Sequence, residues 1–229
     1  MTAGAGGIKG YIAVEGVIGV GKTSLATLLS ERLGARLNLE EVEENPFLED
    51  FYGDMRGYAF QTQIFFLLSR FRQQQELVQR DLFSSRVVSD YIFAKDKIFA
   101  HLNLSDKELS LYDRLVRLLE REIPKPDVVI YLKASTDFLL DRIRNRARPY
   151  EKHMPRDYID VLNQAYNYFF AHYDDTPLLI VNRMETDFLH RPAEVERLIA
   201  EIDALRGGTA QFSSGVGPSG GAPQEGASS

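Results

Sequence analysis

The segment Gly16-Val-Ile-Gly-Val-Gly-Lys-Thr23 has the residue types and spacing of a phosphate-binding loop. Its glycines let consecutive backbone N–H groups point at phosphate oxygens, and the helix expected to begin there adds the positive end of its dipole. Lys22 supplies a mobile cation for the terminal phosphates, and the Thr23 hydroxyl is a candidate Mg²⁺ ligand. A glycine-rich turn that merely caps a helix is disfavoured, because a strand-like run precedes the segment and helical spacing follows it. The predicted contacts to a nucleoside triphosphate are Gly16, Val17, Ile18, Gly19, Val20, Gly21, Lys22, Thr23 and Ser24.

Acidic residues follow two other strand-like runs. Four of them lie in the segment Glu40-Glu-Val-Glu-Glu44, where one carboxylate within reach of an acceptor hydroxyl could take its proton. A solvated sheet edge accounts for these acids equally well. A further clue is the segment Asp90-Tyr-Ile-Phe-Ala-Lys-Asp96, which begins with the acid that ends the third strand.

A long helical stretch carries a polar and aromatic stripe. Gln63, Phe66 and Arg70 are spaced i, i+3 and i+7, so they lie on one helix face. The glutamine can make two hydrogen bonds to a planar heterocycle, and the phenylalanine can stack on it. Taken alone, such a stripe is more often core plus a surface arginine.

An arginine-rich run follows the most apolar strand. Arg142 and Arg146 share a helix face, and Arg148 comes next, before Pro149. A solvated helix face is the simpler explanation. In a chain with a phosphate-binding loop, the same arginines suggest a lid that closes over the triphosphate, because phosphoryl transfer needs positive charge around the moving group.

Alternating strands and helices must position these residues. We predict a doubly wound α/β fold with a five-stranded parallel sheet flanked by helices. Ligands of such folds lie beyond the carboxyl ends of the strands, where the loop, the Glu40 segment and Asp90 all fall. The predicted strands are 11–15, 35–40, 86–90, 127–132 and 178–181. The predicted helices are 24–30, 57–80, 106–122 (capped by Ser105), 135–145, 155–172 and 191–205.

Composition limits the classes of partner and compartment. The net charge of −6 argues against a polynucleotide partner, and the absence of cysteine excludes disulfides and thiolate sites. No apolar run is long enough to cross a bilayer and no signal-peptide pattern is present, so we expect a cytoplasmic protein with no membrane partner. Residues 207–229 are rich in Gly, Ser, Ala and Pro and are predicted to be a disordered tail, which leaves residues 1–206 as one domain.

Taken together, the motifs resemble the deoxynucleoside kinase family, in its bacterial deoxyguanosine/deoxyadenosine kinase branch. The resemblance covers residues 9–205 and implies the P-loop kinase fold with an arginine-rich lid. The segments that carry it are Glu15–Thr23, Glu40–Pro46, Phe51-Tyr52, Gln63–Arg72, Asp90–Ala100 and Arg142–Glu151.

The resemblance assigns roles to individual residues. It implies that Glu40 is the general base for the acceptor 5′-hydroxyl, that Tyr52 and Glu151 hold the sugar 3′-hydroxyl, and that Gln63 hydrogen-bonds the base. It matches the three arginines of the run to lid arginines, two of them catalytic and Arg148 at the triphosphate. The stretch 182–188 is similar to the loop that borders the donor's adenine.

One charged pair and one departure bear on base choice. Arg70 and Asp96 match a pair that tunes it, and the pair argues against a thymidine-selective enzyme. Many family members have acid–Arg–Ser where this chain has Asp90-Tyr91-Ile92. The missing arginine removes a cation near the transferring phosphate, so we expect other arginines to compensate. Asp-Tyr resembles the deoxyguanosine kinase subgroup, whereas Asp96 resembles the deoxyadenosine/deoxycytidine type, so the base preference stays open.

We therefore predict a homodimeric kinase that transfers the γ-phosphoryl group of ATP, with Mg²⁺, to the 5′-hydroxyl of a deoxynucleoside in nucleotide salvage. A purine deoxynucleoside is favoured and deoxycytidine is possible. The alternatives are thymidylate kinase, whose acceptor phosphate the acidic Glu40 segment would repel, and a non-catalytic nucleotide-binding module. The predicted catalytic residues are Glu40, Lys22, Arg142 and Arg146; the substrate site is Glu40, Tyr52, Gln63, Phe66, Arg70, Asp90, Asp96 and Glu151; the metal ligands are Thr23 and Asp90.

Overall fold

A computed structural model describes residues 10–80, 86–151 and 154–214 of the 229-residue chain. It contains a parallel sheet of six strands, flanked by helices. The strands are β1 (Tyr11–Gly16), β2 (Arg36–Asn38), β3 (Val87–Ser89), β4 (Val128–Lys133), β5 (Leu178–Asn182) and β6 (Thr209–Phe212). The helices are α1 (Lys22–Leu33), α2 (Leu48–Gly53), α3 (Met55–Arg80), α4 (Asp96–Asn103), α5 (Asp106–Leu119), α6 (Thr136–Arg146), α7 (Arg156–Ala171) and α8 (Pro192–Ala204).

The strand order β2-β3-β1-β4-β5-β6 sets the position of the ligand-binding edge. Strand β1 lies between β3 and β4, so the chain winds away from it in both directions. In a doubly wound sheet this reversal opens a crevice beyond the carboxyl end of the first strand. The loop that follows β1, the end of β2 and the end of β3 all meet there.

The most apolar strand is central and is covered on both faces. Residues Val128–Leu132 of β4 are all buried, as expected for an inner parallel strand. The ring of Tyr131 stacks on Phe170 of α7, with centroids 4.1 Å apart. A smaller apolar cluster under α3 and α5 includes Leu67 and Tyr112.

The five predicted strands and six predicted helices are confirmed, with bounds that shift by a few residues. Strand β2 is shorter than predicted and ends at Asn38, so Glu40 follows the strand. Ser105 caps α5 through a reciprocal capping box with Glu108.

The predicted five-stranded sheet and disorder from residue 207 onward are corrected by β6. Residues Thr209–Phe212 pair in parallel with β5 at the sheet edge. The strand is held because Phe212 is buried against Phe188, and because the Arg197 guanidinium donates to the carbonyls of Ser213 and Ser214. The prediction of disorder rested on the composition of residues 207–229 as a whole, in which this four-residue strand is only a small part. Residues 215–229 of the predicted tail lie outside the described residues. In the described part of the chain no helix has the length and apolarity needed to span a bilayer.

Candidate active site

The phosphate-binding loop connects β1 to α1 and packs closely on α6. Gly19 has φ +85°, and a Cβ there would lie 2.9 Å from the carbonyl oxygen of Leu139 and 2.9 Å from Cγ1 of Ile143. A Cβ at Gly16 would lie 2.6 Å from the carbonyl oxygen of Leu132. The loop therefore reaches its conformation only with glycine at these positions, and its shape depends on the backbone.

Two polar side chains of α1 face the crevice. The Lys22 ammonium donates to the carbonyls of Gly16 and Val17, at 2.7 and 3.3 Å. Burial lowers the pKa of Lys22, and repulsion from Lys95 lowers it further. The Thr23 hydroxyl donates to Oδ2 of Asp90 at 2.6 Å and so joins the loop to the end of β3.

The predicted metal ligands lie together and fit Mg²⁺. Thr23 and Asp90 supply adjacent oxygen atoms, which are the ligands of a hard cation. Mg²⁺ commonly takes only one or two protein ligands and completes its shell with water and substrate phosphates. Among the described residues there is no cluster of three or more His, Cys, Asp or Glu side chains suited to a metal.

Glu40 is held between two cations at the end of β2. Its Oε1 accepts from Nε and Nη2 of Arg70 at 2.8 and 2.5 Å, and its Oε2 accepts from the Lys95 ammonium at 2.6 Å. Burial alone would raise the pKa of Glu40, but attraction from Arg70 and Lys95 holds it well below the usual range of a carboxyl. The Glu40 N–H donates to Oδ1 of Asp90 at 2.8 Å, which joins the backbone of Glu40 to the predicted metal ligand Asp90.

The predicted α3 stripe lines one side of this carboxylate. Arg70 lies over the Phe66 ring, 4.8 Å from its centroid, and is ion-paired to Asp96 through Nη1. Asp96 also accepts from the Tyr112 hydroxyl at 2.6 Å, and its backbone carbonyl accepts from Gln63 at 3.0 Å. Asp96 is therefore occupied by protein groups behind Arg70 and does not line the cavity.

The lid segment forms the facing wall. Glu151 accepts from Arg146, whose Nε lies 3.2 Å from Oε2. Nη1 of Arg148 donates to the Tyr150 hydroxyl at 2.9 Å, and the Tyr150 ring stacks on Tyr52, with centroids 5.8 Å apart and an interplanar angle of 10°. Burial raises the pKa of Tyr52 far above the ordinary range of a phenol, so its hydroxyl stays available as a hydrogen-bond donor.

The two predicted catalytic arginines of α6 face different places. Arg146 lines the cavity with Glu40, whereas Arg142 lines a notch on the outer side of the phosphate-binding loop. Its neighbours there include Gly21, Arg183 and Phe188. Arg183 stands 5.5 Å from the centroid of Phe188, and its pKa is lowered by burial and by the nearby Arg142.

These walls enclose a cavity of about 240 Å³ that opens onto the phosphate-binding loop. It brings together all the predicted substrate-site residues except Asp96, together with Lys22, Thr23, Arg146 and Arg148. Sequence reasoning missed Lys95, whose only signal was its place five residues after the acid that ends β3. It also missed the lining groups Phe51, Phe99, Asn103, Tyr158 and Tyr166.

A P-loop that follows the first strand of a doubly wound sheet, facing an enclosed carboxylate, defines the P-loop phosphotransferase class. A family model described as "Deoxynucleoside kinase" matches residues 12–205. The chain belongs to the deoxynucleoside kinase family and is a phosphotransferase.

Individual relatives agree with this assignment over nearly their whole length. A Bacillus subtilis deoxyguanosine kinase is 36% identical over 200 residues, covering 85% of this chain and 97% of the relative. A deoxyadenosine/deoxycytidine kinase of the same organism is 31% identical and covers 85% and 92%. A structure of M. mycoides deoxyadenosine kinase with bound dATP has a TM-score of 0.72 and 28% identity, covering 84% of this chain and 98% of that one.

Proposed function

We propose that this protein transfers the γ-phosphoryl group of ATP to the 5′-hydroxyl of a deoxynucleoside. The single observation that carries the proposal is the position of Glu40. Its carboxylate lies in one cavity with Lys22, Thr23 and Asp90 on one side, and with the planar and aromatic groups of α3 on the other. A base between a phosphate site and a nucleoside-sized pocket is what phosphoryl transfer to a sugar hydroxyl needs.

The acceptor lies with its base toward α3 and its sugar toward the lid. Gln63 and Arg70 are polar groups at the base end, and Phe66 gives it a flat apolar surface. Tyr52 and Glu151 are within the same cavity and receive the 3′-hydroxyl. The hydroxyl of Tyr52 donates, and the carboxylate of Glu151 accepts.

We propose a purine deoxynucleoside as the preferred acceptor, with deoxycytidine as a second one. The relatives named deoxyguanosine and deoxyadenosine/deoxycytidine kinase support this class. The M. mycoides deoxyadenosine kinase has also been solved with bound dCTP. The polar groups that the cavity presents at the base end are Gln63 and Arg70, and Asp96 holds Arg70 from behind.

The donor triphosphate lies along the loop amides and the Lys22 ammonium, with its adenine toward the notch formed by Arg142, Arg183 and Phe188. A Mg²⁺ ion held by Thr23 and Asp90 would neutralise phosphate charge when bound. The hydroxyl oxygen attacks phosphorus as Glu40 takes its proton. The low pKa of Glu40 is compatible with this role, because the loose transition state of phosphoryl transfer demands little proton removal before bond formation.

We further propose that the enzyme works as a homodimer in the cytoplasm, in deoxynucleoside salvage, with a catalytic domain that extends past residue 206 to include β6. The dimer is supported by apolar side chains exposed on two neighbouring helices. They are Leu68 of α3 and Leu111 and Leu118 of α5, and Leu118 is 71% exposed. Light scattering of the purified protein tests the dimer, which a monomer mass at micromolar concentration would overturn.

The test of the function is an ADP-release assay with ATP, Mg²⁺ and one acceptor at a time. The acceptors are deoxyguanosine, deoxyadenosine, deoxycytidine, thymidine and TMP, and kcat/KM is compared among them. The highest value is expected for a purine deoxynucleoside. Turnover with TMP alone, or none with any acceptor despite ATP binding, would overturn the proposal.

A further inference from the structure

Lys95 is a buried lysine of the cavity with no role assigned by the motifs. It ends a 3₁₀ turn, Phe93–Lys95, that follows β3, and it is only 3% exposed. Its ammonium lies 2.6 Å from Oε2 of Glu40 and lines the same cavity as Lys22. Burial of a lysine beside a reacting carboxylate is costly, so a purely structural position would more often hold an apolar residue.

The neighbouring Tyr91 carries no charge and is directed away from the cavity. Its side chain is fully buried, accepts from the Asn38 amide at 3.3 Å and does not line the cavity. Its ring faces the Lys95 ammonium, 5.8 Å from the centroid. The positive charge that the segment after β3 contributes to the cavity is therefore that of Lys95.

The two cations on Glu40 differ in how firmly they are held. Arg70 makes two hydrogen bonds to Glu40, pairs with Asp96 and lies over Phe66. Within the described residues, the Lys95 ammonium makes its hydrogen bond to Glu40 alone. These three hydrogen bonds fill three of the roughly four acceptor positions of the carboxylate, so an acceptor hydroxyl reaches Oε2 beside the Lys95 ammonium or in its place. The flexible lysine can yield its position, whereas the arginine is anchored on three sides.

We infer that Lys95 is a further catalytic residue, which releases Oε2 of Glu40 to the acceptor hydroxyl and then contacts the phosphoryl group in transfer. The inference rests on the proposed function. In the step, the bond between the 5′-oxygen and the γ-phosphorus forms and the bond from that phosphorus to the β,γ-bridging oxygen breaks. The electron pair leaves with ADP, and the hydroxyl proton passes to Glu40. The Lys95 ammonium stabilises the charge on the phosphoryl oxygens.

The first test compares Lys95→Met and Lys95→Arg with a matched control, Lys97→Met. Lys97 is two residues away, pairs with Glu120 and lies outside the cavity. We expect Lys95→Met to lower kcat about 100-fold while KM for ATP and nucleoside changes less than about 3-fold, because the contact forms in the transition state. Lys95→Arg should stay within about 10-fold of wild type. Lys97→Met should match wild type, and Lys95→Gln repeats the test if the Met variant shows no cooperative unfolding transition.

The second test separates a contact with the phosphoryl group from an effect that acts only through Glu40. In a Glu40→Gln background, a direct contact predicts that Lys95→Met still lowers the residual kcat by a similar factor. No further loss in that background, or a wild-type kcat in Lys95→Met alone, would overturn the role of Lys95. A wild-type enzyme that phosphorylates no nucleoside would instead overturn the proposed function, so the two failures are distinct.

Discussion

The donor half and the acceptor half of the cavity hold their functional groups by different means. In the donor half, the backbone conformation of the phosphate-binding loop positions the functional groups. Gly19 leaves no room for a Cβ, and the Lys22 ammonium donates to a loop carbonyl. In the acceptor half, a network of ion pairs joins Lys95 and Glu40 to Arg70, and Arg70 to Asp96. The neutral Tyr112 hydroxyl donates to Asp96 at the far end of this network. A triphosphate presents the same oxygens in every nucleotide, so amides suffice, whereas a nucleoside must be positioned by side chains.

The junction of the two halves is Glu40, and its loss is expected to have the largest effect. Glu40→Gln keeps the shape but removes the base and leaves Lys95 and Arg70 without their shared carboxylate. We expect kcat to fall roughly 1,000-fold, measured by steady-state ADP release. Glu44→Gln is the control, since Glu44 belongs to the same acidic segment but is exposed and pairs with Arg72. Near-wild-type turnover of Glu40→Gln would remove Glu40 as the base.

The donor half is tested by Gly19→Ala. A Cβ at this positive φ meets the Leu139 carbonyl at 2.9 Å, so the loop must shift. We expect kcat/KM for ATP to fall roughly 100-fold and the free energy of unfolding to fall by about 1–3 kcal/mol. In the control Gly53→Ala, a Cβ would meet nothing within 4 Å. Equal behaviour of the two variants would mean that backbone shape does not control the donor site.

The acceptor half is tested at the sugar by Tyr52→Phe. Loss of one hydrogen bond to the 3′-hydroxyl is expected to raise KM for the deoxynucleoside about 10-fold. The 2′,3′-dideoxynucleoside lacks that hydroxyl and serves as the internal control, so its KM should not change. An equal rise for both acceptors would show that Tyr52 acts only through its stacking on Tyr150.

The smallest effect on nucleoside binding is expected at Tyr112, which contacts Asp96 at the end of the ion-pair network farthest from Lys95. Tyr112→Phe deletes the hydrogen bond to Asp96, which then holds Arg70 less firmly. Unfolding free energy should fall by about 1–2 kcal/mol, and KM for the nucleoside should rise about 3-fold. Urea denaturation and initial rates measure the two effects. Tyr168→Phe, at an exposed tyrosine, is the control and should change neither. A wild-type KM in Tyr112→Phe would show that the hydrogen bond from Tyr112 to Asp96 does not affect nucleoside binding through Arg70.

The difference between a donor half shaped by one loop and an acceptor half built from distant side chains also determines how much the sequence could predict. The phosphate-binding loop of the donor half is contiguous in sequence, so local pattern alone predicts Gly16–Thr23 and its flanking strand and helix. The stripe Gln63, Phe66 and Arg70 was predicted because helical spacing fixes a common face.

The ion pairs of the acceptor half could not be predicted from local sequence patterns. The pairing of Lys95 with Glu40 joins residues 55 positions apart and depends on how the turn after β3 crosses the end of β2. Likewise, Arg142 and Arg146 share a helix face, yet α6 ends between two pockets and delivers one arginine to each. Strand β6 was not predicted, because its four residues of alternating pattern lie within a segment whose composition is typical of disorder.

The central claim, that separately built halves meet at Glu40, is tested most directly by calorimetric binding of two ligands to two variants. The ligands are a non-hydrolysable Mg²⁺–ATP analogue and the best deoxynucleoside, and the variants are Gly19→Ala and Glu40→Gln. The account predicts that Gly19→Ala loses affinity for the analogue but binds the nucleoside normally. It predicts that Glu40→Gln keeps wild-type affinity for the analogue although its turnover is lost. Loss of both affinities in Gly19→Ala, or loss of analogue binding in Glu40→Gln, would contradict it.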